Sequence, residues 1–172
     1  MNKYLLAAGA ILALGTNAAF AHITLETQEA EVGSTYKAVL RVPHGCDGKA
    51  TTAVRVQIPE GVIAVKPMPK PGWTLQAKKG KYDKSYQLYG QAVTDGVKEV
   101  DWSGGNLPDE FYDEFVFRAM LTADLPVGQK LYFPVVQECG DAVDRWIAIP
   151  MTGQDEDALE NPAPGIKLTP KK

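Results

Sequence analysis

The sequence predicts an all-β chain, an antiparallel β-sandwich of immunoglobulin or fibronectin-III type. Three observations carry that prediction. Apolar and polar residues alternate with period two in several short runs. Pro- and Gly-containing turns separate the runs. No stretch of ten or more residues carries the periodicity of an amphipathic helix.

In chain order, Tyr36, Ala38, Leu40 and Val42 alternate with Lys37, Val39 and Arg41, and Val54, Val56 and Ile58 with Arg55 and Gln57. Phe115, Phe117, Ala119 and Leu121 alternate with Val116, Arg118 and Met120, and Leu131, Phe133 and Val135 repeat the theme. Successive side chains of a strand point to opposite faces, so each set reads as one buried face. Pro43-His44-Gly45, Pro59-Glu60-Gly61, Pro71-Gly72, Ser103-Gly104-Gly105 and Pro126-Val127-Gly128 supply the turns. From Gly153 onward the chain becomes polar, with Pro162, Pro164 and Pro170, and 153–172 reads as an extended, partly disordered tail.

A length of 172 residues suits one domain, and 45% apolar with 23% charged residues is a globular composition. The net charge of −3 argues against a nucleic-acid binder, which needs a basic face. Only two His and two Cys are present, which excludes zinc ribbons, iron–sulfur ligation and cysteine-rich scaffolds.

The first 21 residues read as a signal peptide: Lys3 as the positive start, Leu5 to Leu14 as a short apolar core, and Ala19-Phe20-Ala21 as a small-x-small cleavage site. The apolar run falls short of the ~20 residues that a spanning helix needs. The mature protein is therefore expected to be soluble, in the periplasm or secreted. Cleavage leaves 151 residues beginning His22-Ile23-Thr24-Leu25. An N-terminal histidine offers its α-amine and its imidazole Nδ1 as a chelating pair, a set that suits Cu(II) in a tetragonal field.

Cys46 and Cys139 lie 93 positions apart. In an exported chain such a pair reads as a disulfide, worth ~4–5 kcal/mol for a loop of that length in the chain-entropy model. A thiolate copper site is the lesser alternative, because no His follows Cys139.

The run Asp109-Glu110-Phe111-Tyr112-Asp113-Glu114-Phe115 places four carboxylates before a strand. It reads either as a solvated acidic loop or as the source of one carboxylate donor to a metal begun by His22. No looped oxygen array for calcium is present. Trp73, Trp102 and Trp146 read as packing residues, with Trp146 after Arg145 also suited to lie beside a cation. His44 reads as a turn residue beside a disulfide or as a second copper ligand, and Met68, a lone methionine, as a thioether donor to Cu(I). No nucleophile elbow, phosphate loop or Cys–His pair is present, so the chain is read as a non-enzyme.

Taken in order, these pieces resemble the YcnI-like family, secreted copper-binding domains. The matching segments are His22-Ile23-Thr24-Leu25, Val42-Pro43-His44-Gly45-Cys46, Thr52 to Gly61 and Pro67 to Trp73. Val100 to Gly105, Phe111 to Phe115, Gln137 to Gly140 and Arg145-Trp146 follow. The resemblance implies a fibronectin-III-like sandwich over 22–152 holding one Cu(II) per chain. In that family the N-terminal His supplies two nitrogens, a monohistidine brace, a Glu adds a carboxylate, and a Trp lies close to the metal. Those roles fall here on His22, Glu114 and Trp146. The resemblance also implies copper homeostasis, as a metallochaperone or buffer whose partners are the copper ion and a copper transporter or second periplasmic chaperone. A C-terminal membrane anchor of the Gram-positive members is not found in this sequence, so it looks like a free periplasmic form, and not all members share its cysteine pair. Two alternatives stand beside this reading: a histidine-brace oxidative enzyme, which takes a second His as ligand, and a metal-free interaction domain.

Overall fold

The computed structural model describes residues 22–172, so the signal-peptide reading of 1–21 lies outside the described residues. The described residues form twelve strands: β1 Thr24–Leu25, β2 Glu29–Glu31, β3 Thr35–Val42, β4 Thr51–Gln57, β5 Val62–Pro67 and β6 Thr74–Leu88, then β7 Gln91–Leu107, β8 Asp113–Leu121, β9 Lys130–Tyr132, β10 Val135–Cys139, β11 Ala142–Trp146 and β12 Gly165–Thr169. Among the described residues the only helical element is a short 3₁₀ turn, Glu156–Ala158. No helix there is long and apolar enough to cross a membrane.

Two sheets make the sandwich. One runs β1-β3-β8-β5 and the other β11-β10-β4-β7-β6. Pairing within both is antiparallel. The predicted alternation is what faces the core. Tyr36, Ala38, Leu40 and Val42 of β3, with Phe115, Phe117, Ala119 and Leu121 of β8, pack on Val54, Val56, Val100, Trp102 and Val135 of the second sheet. Non-directional burial of apolar surface drives this closure, and it needs only that each strand present one apolar face. Trp102 and Trp73 pack edge-on against Phe115, with ring centroids 5.6 and 4.9 Å away.

Three features depart from the sequence reading. The 131–135 run is not one strand. Pro134 has no N–H to give a ladder, so β9 ends at Tyr132 and β10 starts at Val135 in a different sheet, with the Pro134 carbonyl accepting from Gln57 N at 2.8 Å. The long β6–β7 hairpin was not legible, because β6 is almost wholly polar and exposed, burying only Tyr82 and Tyr86. Its tip is a two-residue turn with positive φ at both Tyr89 (50°) and Gly90 (79°), the twist that suits a tight hairpin.

The third departure is the C-terminal segment, expected as a partly disordered tail. β12 instead pairs in parallel with β2 and antiparallel with β9, and Ile166 and Leu168 are buried in the main core. Those two apolar side chains, spaced by two, outweigh the polar composition around them. We expect Leu168→Ala to cost about 2–5 kcal/mol in urea unfolding, as for a buried leucine, while exposed Lys167→Ala on the same strand changes stability by less than about 0.5 kcal/mol. Equal small effects would mean that β12 does not belong to the folded unit.

Candidate metal centre

β1 and β11 are edge strands of opposing sheets. His22 stands two residues before Thr24, where β1 begins, and Trp146 closes β11 with its side chain turned inward. The two rings meet edge to face, with centroids 5.7 Å apart. The seam between the two edges is where the start of the mature chain would lie.

His44 reaches the same indole, its ring centroid 6.4 Å from Trp146. This follows from register. Thr24 pairs with Arg41 in antiparallel β1–β3, so the chain before Thr24 runs alongside the chain after Arg41, and His22 comes level with the Pro43-His44 turn.

That turn is tied down from several directions. Gln137 Nε2 donates to the His44 carbonyl at 2.7 Å and to Thr51 Oγ1 at 2.7 Å, while Trp146 Nε1 donates to Gln137 Oε1 at 3.0 Å. Gln137 is only 1% exposed, so its amide must be paired inside the protein, and both ends are. Gly45 N donates to Asp109 Oδ1 at 2.9 Å. Cys46 is joined to Cys139, the last residue of β10, so the pair expected from sequence is a disulfide. Between Cys46 and Lys49 the chain reverses through Asp47 and Gly48, both at positive φ (50° and 75°). A Cβ on Gly45 would lie 1.8 Å from the Lys49 carbonyl oxygen, so no side chain fits there.

Asp144, two residues before Trp146 on the same inward face, completes this group. Its partial burial pushes the carboxyl above the usual carboxylate range, Asp47 adds to the rise, and His44 opposes it. His22 also lines a cavity of about 190 Å³ with Thr24, Gln28, Lys130, Glu156 and the 162–165 segment. The C-terminal segment therefore builds one wall beside His22.

The acidic run is dispersed. Asp109 holds the His44 turn, and Asp113 pairs with Lys70 at 2.6 Å. Glu110 is exposed. Glu114 lies on β8 opposite Arg41, on the outward side of its sheet, and accepts the Tyr112 hydroxyl. Desolvation and that carboxylate push the Tyr112 hydroxyl up to about 12. In the rung Thr24–Arg41–Glu114, Arg41 stands between Glu114 and β1, with strands about 4.8 Å apart. Met68 is 54% exposed on the turn after β5, and its carbonyl accepts Trp102 Nε1–H at 3.0 Å.

Among the described residues no group of three or more His, Cys, Asp or Glu side chains is arranged to hold a metal ion. The structure does bring His22, His44 and Trp146 together. Gln137, Asp109 and Asp144 are the residues of this site that the sequence reading did not single out. Asp109 was named only as part of the acidic run, and Gln137 only within the Gln137-Glu138-Cys139 segment beside the disulfide.

A family model described as "Domain of unknown function (DUF1775)" matches residues 22–168. The chain belongs to this family, the YcnI-like family of the sequence reading. The DUF1775 match begins at His22 and runs through Leu168, so it includes β12. A search of curated proteins finds no match. Among solved structures the domain is similar to an uncharacterized protein from Nocardia farcinica whose crystal structure reveals an immunoglobulin-like fold. The identity is 26%, the TM-score 0.62, and the match covers 86% of this chain and 98% of that one.

Replacing Gln137 with Leu removes the acceptor of a buried indole N–H and the donor to a buried hydroxyl. We expect a loss of about 1–3 kcal/mol in denaturant unfolding, with a changed near-ultraviolet circular dichroism signal from Trp146. An unchanged tryptophan signal would show that Gln137 does not set the indole's position.

Proposed function

We propose that the processed protein is a periplasmic Cu(II)-binding member of the DUF1775 family, acting in copper homeostasis as a metallochaperone or buffer rather than as an enzyme. The observation that carries the reading is the position of His22: the first residue of the family match, directly after a small-x-small cleavage site, with its ring against Trp146. Removal of residues 1–21 turns the His22 nitrogen from an amide into an amine. One residue then supplies two nitrogen donors, which is why no cluster of three side chains is required. Cu(II) favours such nitrogen ligands, with oxygen completing the set. Glu114 is the carboxylate proposed for that oxygen.

A carrier has to release its ion. Few protein ligands at an exposed seam leave positions to water or to a partner's donor, so copper passes on by ligand exchange. The partner proposed is a copper transporter or a second periplasmic chaperone. The disulfide supports an oxidising compartment outside the cytoplasm.

One observation favours a second reading, an oxidative histidine-brace centre: His44 lies beside the same indole as His22. Sustained oxygen consumption by the copper-loaded protein with ascorbate would overturn the carrier reading in its favour.

The processed protein is expected to bind one Cu(II) with a dissociation constant of about 1 µM or tighter, roughly −8 kcal/mol, measured by competition titration. A form retaining one residue before His22 should bind at least about tenfold more weakly; equal affinity would eliminate the brace. Electron paramagnetic resonance of Glu114→Ala should differ from the parent more than that of Glu110→Ala. Equal spectra would leave Glu114 without its role.

A further inference from the structure

On the basis of the copper reading, we infer that His44 is a second imidazole donor to the ion held at His22. Bound Cu(II) then has three nitrogens: the His22 amine, the His22 Nδ1 and the His44 Nε2, gathered at the edge of the Trp146 indole.

Two independent lines converge on His44. The first is proximity. Antiparallel register brings the residue before Ile23 level with the turn after Val42, and both imidazoles approach one indole, at 5.7 and 6.4 Å. The strand spacing of about 4.8 Å is close enough for two imidazoles on adjoining segments to share one ion.

The second line is ring chemistry. His44 Nδ1 lies 2.5 Å from the Gly45 carbonyl oxygen. A carbonyl can only accept, so Nδ1 carries the proton and Nε2 is the lone-pair nitrogen of the neutral ring. Histidines that bind metals characteristically donate their other ring N–H in this way, which sets tautomer and ring orientation. The backbone is held to match, by Gln137 on the His44 carbonyl, Asp109 on the Gly45 amide and the disulfide at Cys46.

His44 is thus a positioned ligand whose placement depends on Gln137, and the disulfide lies within two residues of it rather than remote from the site. Asp144, facing His44 from β11, is a neighbour of the imidazole and is not assigned as a ligand. A third nitrogen is the ligand count of the oxidative reading, so two imidazoles weigh toward that reading and one toward the carrier.

The test uses the exported, processed protein with an N-terminus confirmed at His22 by mass spectrometry, loaded with one equivalent of Cu(II). Electron spin-echo envelope modulation, which counts equatorial imidazoles from their remote nitrogens, is expected to show two in the parent and one in His44→Gln. The same substitution is expected to weaken Cu(II) binding by about tenfold or more, a loss of the size seen when a metal site's supporting residues are removed, and millimolar imidazole should restore part of the lost signal. One imidazole in the parent overturns the inference and leaves the copper reading standing. So does an affinity within twofold of the parent in a His44→Gln protein that melts normally. No Cu(II) binding by the parent overturns both. The imidazole count on the unsubstituted protein decides the matter even if His44→Gln does not fold.

Discussion

The Gln137 carboxamide is the constraint on which the rest of the site depends. It is buried between the sheets with every polar atom engaged: Oε1 accepts from the Trp146 indole, and Nε2 donates to the His44 carbonyl and the Thr51 hydroxyl. An amide left unpaired in such a place is costly, and the same energy that demands partners makes the partners' positions definite. One side chain on β10 therefore orients the indole of the neighbouring edge strand and the turn that carries His44. The disulfide two residues further along β10 holds the same turn covalently. Polar satisfaction and covalent closure act on the same few residues, and the hydrophobic core beneath them supplies the rigid base.

The location of the site follows from the architecture. A two-sheet sandwich that does not close into a barrel has edges, and here two of them, β1 and β11, flank one seam. Edge strands must be protected or used. This domain shortens β1 to two residues and covers the adjoining region with the C-terminal segment, whose 162–165 stretch lines the cavity beside His22. His22 thus lies where contacts with Trp146 and the C-terminal segment order it.

Much of the fold was legible because it rests on local alternation. The apolar residues of β3, β4 and β8 announce their strands, and the same residues form the core. β6 was not legible because main-chain pairing to β7 builds it, with little apolar signal. β12 was not, because Ile166 and Leu168 are two apolar residues in a polar, Pro-containing segment, and their burial depends on a parallel partner more than a hundred residues earlier. In the site, the cysteine pair was legible through its number and spacing. Gln137 was not, since a glutamine in a strand carries no mark of being buried.

By itself, the sequence determined an all-β sandwich and the cysteine pairing, because each depends on residue type, short-range order or a count. The tertiary structure alone decided that His44 faces the same indole as His22, that Asp109 serves the His44 turn while Glu114 meets Tyr112, and that the C-terminal segment walls the site. These are contacts between residues far apart in the chain, such as His44 and Gln137 at 93 positions. Their geometry is set by strand register and by the need to pair buried polar groups, neither of which a linear pattern displays.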